Sequence, residues 1–278
     1  MAHSNVTSTT HDHFTESGEH IISKDVSVSH IGIWLKKGWM DMAHAPMASF
    51  FYGAVMALSV MLVYAAFSNQ PVVMFQIATF FVILSPFLAI GLYAISCQLS
   101  RNMKPDLFRS LFAWKRNPTD FALFALVLGV IVAIWARIVP LIVSFVGSNG
   151  LLIVDPDAGV MSFVGSDLGM TFMSYFLVSA SVVAAFVFAI SVVTIPLLLR
   201  DNKAGLISSM VLSFQVVMEN KAVMSIWALI IGALVTLGIV TLGVAMLVVM
   251  PLLGYASWHA FNDLIEVDDK KSAADLDL

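Results

Sequence analysis

The chain has 278 residues, of which 59% are apolar and 12% charged, with a formal net charge of −4. A soluble domain carries roughly 25% charged residues, so this composition excludes an ordinary water-soluble fold and predicts a chain embedded in lipid. A single cysteine, Cys97, excludes a disulfide framework, a thiolate zinc cluster and an iron–sulfur site made by this chain alone; it reads as a free thiol in a reducing compartment.

In chain order, residues 1–24 are polar, lack the apolar core of a secretory signal peptide and predict a disordered tail. Its histidines, His3, His11, His13 and His20, have the composition of a weak metal-binding tail, which a solvated extension explains equally. A membrane domain is expected over 25–264. Residues 28–44 read as an amphipathic helix, with Ile31, Leu35, Gly38, Trp39 and Met42 on one face and Lys36, Lys37, Asp41 and His44 turned away. Spans follow at about 48–67, with the small pair Gly53 and Ala57, and 72–97, with Pro86. A second amphipathic stretch, 104–115, aligns Leu107, Phe108, Leu111, Phe112 and Lys115. It leads into a span at 120–146 that carries Ala125, Gly129 and the one full charge found inside the apolar runs, Arg137.

Residues 147–170 read as a solvated outer loop holding Asp155, Asp157 and Asp167. A span at 171–199 contains Pro196, and a third amphipathic stretch, 204–219, aligns Leu206, Met210, Phe214, Val217 and Met218. The last apolar run, 223–261, would measure about 58 Å as one helix, nearly twice the ~30 Å hydrocarbon core. It therefore predicts a hairpin of spans 222–238 and 241–261, turning near 238–243, with Pro251 in its second arm. One long tilted helix, giving five spans, is the alternative. An acidic tail, 265–278, ends the chain.

The basic residues segregate. Lys24, Lys36 and Lys37 precede the first span; Arg101, Lys104, Arg109, Lys115 and Arg116 lie between the second and third; Arg200, Lys203 and Lys221 follow the fourth; Lys270 and Lys271 are in the tail. The connections 68–71 and 147–170 hold none. The positive-inside rule then places both termini and the basic loops in the cytoplasm of a plasma-membrane protein. Each amphipathic stretch ends at a breaker (Ala45-Pro46, Asn117-Pro118, Asn220-Lys221), each following span carries a small pair, the third being Ala228 and Gly232, and each even span carries a proline. The expected fold is an all-α membrane protein of six transmembrane helices, arranged as three repeats of interfacial amphipathic helix plus helical hairpin.

The segments 34–42, 46–54, 85–93, 114–117, 135–137 and 251–261 resemble hallmarks of a bacterial family of predicted integral membrane proteins, domain of unknown function 2189. The resemblance covers about residues 22–266 and implies a multi-pass inner-membrane protein without an established activity. Members are sometimes labelled as a cytochrome oxidase subunit I. That label needs several intramembrane histidines for haem and copper, and only His44 and His259 lie near any span here.

Arg137 is the sharpest chemical feature, because a charge near the bilayer centre costs at least ~2.5–3.5 kcal/mol on insertion scales. It reads either as an anion ligand in a pocket shaped by Trp135 and Pro140, or as a side chain that snorkels outward towards Asp155 or Asp157. Trp34, Lys36, Lys37, Trp39, Trp114, Lys115, Arg116 and Trp258 are expected as interfacial anchors, and Pro86, Pro196 and Pro251 as helix hinges. His44 and His259 could meet as metal ligands only if the first and sixth spans were neighbours; no metal or cofactor is expected. There is no Ser/His/Asp arrangement by sequence, and Ser85, Ser96 and Ser191 lie in apolar surroundings. The chain thus reads as a non-enzymatic helical bundle that binds anionic lipid headgroups or a partner, either another membrane protein or a further copy of itself. No nucleic acid is expected. A small-anion transporter or channel using Arg137 is the alternative, and a lipid-modifying enzyme a third reading.

Overall fold

The computed structural model describes residues 10–14, 20–147, 159–200 and 204–267. Elements in chain order are β1 (Thr10–Phe14), β2 (His20–Lys24), α1 (Ser29–His44), α2 (Pro46–Phe67), α3 (Pro71–Ser100) and α4 (Leu107–Leu111). A 3-10 turn (Ala113–Arg116) leads to α5 (Pro118–Val146), α6 (Gly159–Gly165), α7 (Asp167–Ser191), α8 (Thr194–Arg200), α9 (Leu206–Glu219), α10 (Lys221–Val240), α11 (Met246–Leu264) and β3 (Ile265–Val267). Five segments are long and apolar enough to cross a bilayer: Pro46–Phe67, Pro71–Ser100, Pro118–Val146, Asp167–Arg200 and Lys221–Val240.

Local chemistry sets the boundaries. Pro46, Pro71 and Pro118 open α2, α3 and α5, where a missing N–H costs nothing. Asn117 caps α5 by accepting from the Asp120 N–H, and Asp106 does the same for Arg109 at α4. Asn102, at φ 56°, closes α3 in the left-handed conformation that asparagine tolerates. The run 223–261 is not one helix. It breaks at Thr241–Ala245, with Leu242 and Gly243 at φ 53° and 92°, and the Thr241 hydroxyl accepts from the Ala245 N–H at 3.1 Å.

The surroundings of the three prolines, each of which removes one backbone donor, differ. Pro86 leaves the Val82 carbonyl without its helical donor, and the Ser85 hydroxyl donates to it at 2.8 Å, so α3 continues. Pro251 leaves the Leu247 carbonyl free inside α11. That oxygen lies against Gly53 of α2, where an added Cβ would come within 2.5 Å of it. Pro196 accompanies a real break between α7 and α8. There the Ser213 hydroxyl of α9 inserts into the ladder, donating to the Ala189 carbonyl at 2.7 Å and accepting from the Val193 N–H at 3.1 Å.

The core lies towards one end of the bundle. The C-terminal halves of α3, α7–α8 and α11 are buried nearly all round, whereas α2, α5 and α10 keep broad exposed apolar faces. Each short helix covers a proline-bearing helix: α4 packs on α3, α9 on α7 and α8, and α1 on α11. Close backbone approach makes the α11 contacts possible, since a Cβ on Gly38 of α1 would meet the Ala256 nitrogen at 2.8 Å.

Several expectations differ from this arrangement. The polar tail forms strands at 10–14 and 20–24, antiparallel in the order β1-β2-β3, with Ile21 facing Val267. The reason is tertiary: Ile21 is fully buried, and Asn220 at the α9–α10 corner accepts from Val26 N–H and donates to the Lys24 carbonyl. Residue 265 begins a strand rather than the acidic tail, whose remainder, 268–278, lies outside the described residues, as do His3, Asp155, Asp157 and Lys203. The segment 147–170, expected as a loop, contains α6, and α7 starts already at Asp167, capped by Ser166. Of the three small pairs, Gly53 and Ala57 sit against α11 and its turn, but Gly129 and Gly232 have open space beyond their Cα atoms.

Ser213→Ala strands a buried N–H and a buried carbonyl, and is expected to cost about 1–3 kcal/mol, read as an earlier thermal unfolding transition in detergent. Gly53→Leu places side-chain atoms in the Leu247 backbone and is expected to cost at least about 1–3 kcal/mol in the same assay.

Candidate functional site

Two features stand out on the loop-bearing end that carries α1, α4 and α9: an inner polar seam and an outer basic–aromatic surface. The seam begins at Asp41, expected to point away from the apolar face of α1. It is instead half-buried, accepting from the Ser96 hydroxyl of α3 and lying 2.9 Å from His259 Nε2 of α11. Sequence spacing gave no hint of this trio, because its members are on three separate helices. Its order differs from that of a Ser-His-Asp triad: the carboxylate stands between serine and histidine, so the imidazole does not face the hydroxyl. It serves to fasten α1 to α3 and α11.

Neighbouring pairs extend the fastening. Tyr255 and Ser49 are hydrogen-bonded at 3.0 Å. Trp34 Nε1 donates to Asp263 at 2.8 Å, with Lys37 Nζ 3.7 Å from the same carboxylate. Two expected anchors are therefore not at a lipid surface: Trp34 is fully buried, edge-on to Trp227, and Trp258 is buried between Tyr93 and Phe261. Both motifs read as interfacial because each lies beside charged or polar neighbours in sequence. Lys36 and Trp39 are exposed on α1.

The outer surface is built by residues 101–116. Phe108, Phe112 and Trp114 are exposed, and Lys115 Nζ lies 4.5 Å from the Phe112 ring centroid and 5.8 Å from that of Trp114. Burial lowers the pKa of Arg116; Cys97 opposes this and Arg101 reinforces it. On α9, Ile207, Val211, Phe214 and Met218 form an exposed stripe, while Leu206 and Val217, expected on that face, are buried. Flanking these surfaces is a hollow of about 670 Å³ reaching Met47, Lys104 and Arg109, and an apolar groove of about 440 Å³ between α2, α3 and the 3-10 turn.

Arg137 and Trp135 do not share a pocket. Trp135 is fully buried against Phe176, its indole N–H without a partner among the described residues, and two residues on a helix turn the chain by about 200°. Arg137 is exposed, pointing away from that core, and makes no hydrogen bond or ion pair among the described residues. Pro140 is exposed as well. The histidines also separate: His44 Nδ1 lies 2.7 Å from the Met40 carbonyl, and His13 lies 3.3 Å from Glu219, so neither joins His259. No group of three or more His, Cys, Asp or Glu that could hold a metal occurs among the described residues.

Asp41→Ala leaves Ser96 and His259 without their shared acceptor, and is expected to destabilise the bundle by about 1–3 kcal/mol, whereas Arg137→Ala is expected to stay within about 0.5 kcal/mol. Thermal unfolding of both variants in one detergent checks the contrast.

No curated protein and no solved structure matched the chain. Residues 73–200 match the family model described as predicted integral membrane protein (DUF2189). That segment runs from the start of α3 to the end of α8 and includes the basic–aromatic surface and the Ser213-bridged helix break. The chain is an integral membrane protein, and its 73–200 segment is similar to the family of predicted integral membrane proteins of unknown function, DUF2189.

Proposed function

We propose that this protein is a non-enzymatic six-span bundle of the inner membrane that binds anionic lipid headgroups at its cytoplasmic face. The carrying observation is exposed apolar side chains near bases on the short helices and the 3-10 turn: Lys115 lies over Phe112 and Trp114 with Phe108 exposed nearby, and Trp39 and Lys36 are both exposed on α1. Such faces suit the headgroup layer, where each nearby Lys or Arg contributes about 1 kcal/mol against an anionic surface. Six spans are supported by the break at Thr241–Ala245, which leaves α11 antiparallel to α10 and 19 residues long, about 28 Å. The threefold plan is supported by the packing order. Each short helix covers the proline helix of the preceding unit, and α1, which has none before it, closes the ring on α11. Segregation of the lysines and arginines supports cytoplasmic termini. The outward direction of Arg137 removes the pocket that the transport reading needs.

Two measurements test this. With Cys97→Ser as background, single cysteines at Asn102 and Leu242 are expected to react with impermeant reagent from opposite sides of the membrane; labelling from one side refutes six spans. Native mass spectra of protein extracted with its own lipids are expected to retain anionic lipid, unchanged in Arg137→Ala. An anion lost in that variant would reverse the choice in favour of transport, and retention of a protein partner without lipid would favour docking.

A further inference from the structure

We infer that one anionic diacyl phospholipid of the cytoplasmic leaflet binds beside α4, its phosphate between Lys104 and Arg109 and one acyl chain along the Met47–Phe51–Val55 face of α2. This rests on the lipid-binding reading above and narrows it to a single site.

The two hollows adjoin through α2. Met47 lines the larger, and Phe51 and Val55 line the smaller. Spaced four residues apart, these side chains stand one above another along a single helical face. They are 77%, 36% and 40% exposed, an unpartnered apolar track that leads from the basic rim into the depth of the bilayer. Phe87 and Leu88 of α3 form the opposite wall of the smaller hollow. Its inner surface is closed by Tyr52, whose ring occupies the space that a side chain at Gly91 would need and whose hydroxyl is bonded to Ser110 at 2.9 Å. With that polar pair satisfied internally, the groove offers almost purely hydrocarbon contact.

The rim supplies the complementary charge. Residues 101–116 contain five bases (Arg101, Lys104, Arg109, Lys115, Arg116) and one acid (Asp106), a net of 5 − 1 = +4. Arg109 is paired with Asp106 only at 3.4 Å and on an exposed surface, and Lys104 has no ion pair among the described residues. A phosphate entering the larger hollow meets both bases. A soluble phosphate ester would use the rim and leave the track bare; a neutral lipid would use the track and leave the rim unpaired. An amphiphile with anionic head and hydrocarbon chain fits both, and Phe108, Phe112 and Trp114 place the rim at headgroup depth.

The test uses full-length, delipidated protein in detergent, with native mass spectrometry titrations of dioleoylphosphatidylglycerol and dioleoylphosphatidylcholine. Wild type is expected to take up one phosphatidylglycerol in preference to phosphatidylcholine. Lys104→Gln with Arg109→Gln, both on the surface, is expected to weaken phosphatidylglycerol about tenfold or more and leave phosphatidylcholine unchanged. Val55→Trp, which fills the track, is expected to weaken both lipids. Excess glycerol 1-phosphate is expected not to compete; displacement by it would overturn the acyl-chain assignment. Unchanged phosphatidylglycerol binding in the double variant overturns the site. If Lys36→Gln with Lys37→Gln abolishes the preference instead, the site falls and the lipid-binding reading stands. A wild type without any preference for the anionic lipid sinks both.

Discussion

Inside a bilayer a carbonyl that loses its helical donor has no water to turn to, and each proline in these helices creates such a carbonyl. The packing beside the three prolines differs accordingly. At Pro86 the answer is local, a serine one residue earlier in the chain. At Pro251 the Leu247 carbonyl lies against Gly53, whose missing side chain lets α2 lie backbone to backbone on α11. Near Pro196 the helix gives way one turn earlier, where Ser213 of α9 stands between the Ala189 carbonyl and the Val193 N–H. The position of α9 is thus tied to a defect in the helix before it, and the position of α2 to a defect in the last helix.

The same logic explains why the core is at one end. Helices beside lipid need no partner for their apolar faces, so α2, α5 and α10 remain broadly exposed there. Polar side chains such as Asp41, Ser96 and His259 do need partners, and burying them between α1, α3 and α11 satisfies all three at once. Lateral hydrophobic attraction between helices is weak in lipid. Specific polar contacts and close backbone approach at Gly38 and Gly53 therefore determine which helices meet.

Arg137 illustrates the opposite case. A lone charge in an apolar run invites a functional reading, but two residues from the buried Trp135 the helix presents Arg137 to the outside. In the lipid-binding proposal the weight moves to the basic loop 101–116, whose charges are ordinary by composition. They become informative only beside an exposed aromatic cluster and the open track on α2.

Reading the chain alone determined the class of protein, the breakers at Ala45-Pro46 and Asn117-Pro118, and the turn that splits 223–261. These depend on proline or on length against the bilayer, and such signals are local. Tertiary structure decided which apolar faces pack and which meet lipid. Hydropathy cannot separate the two, because a leucine is as well accommodated by acyl chains as by a helix. That is why Trp34 and Trp258 read as surface anchors yet lie in the core, why Gly129 and Gly232 read as contacts yet face open space, and why the polar segments 10–14 and 20–24 pair as strands. The trio of Asp41, Ser96 and His259 belongs to the same category, since no spacing rule connects residues on three helices until the bundle closes around them.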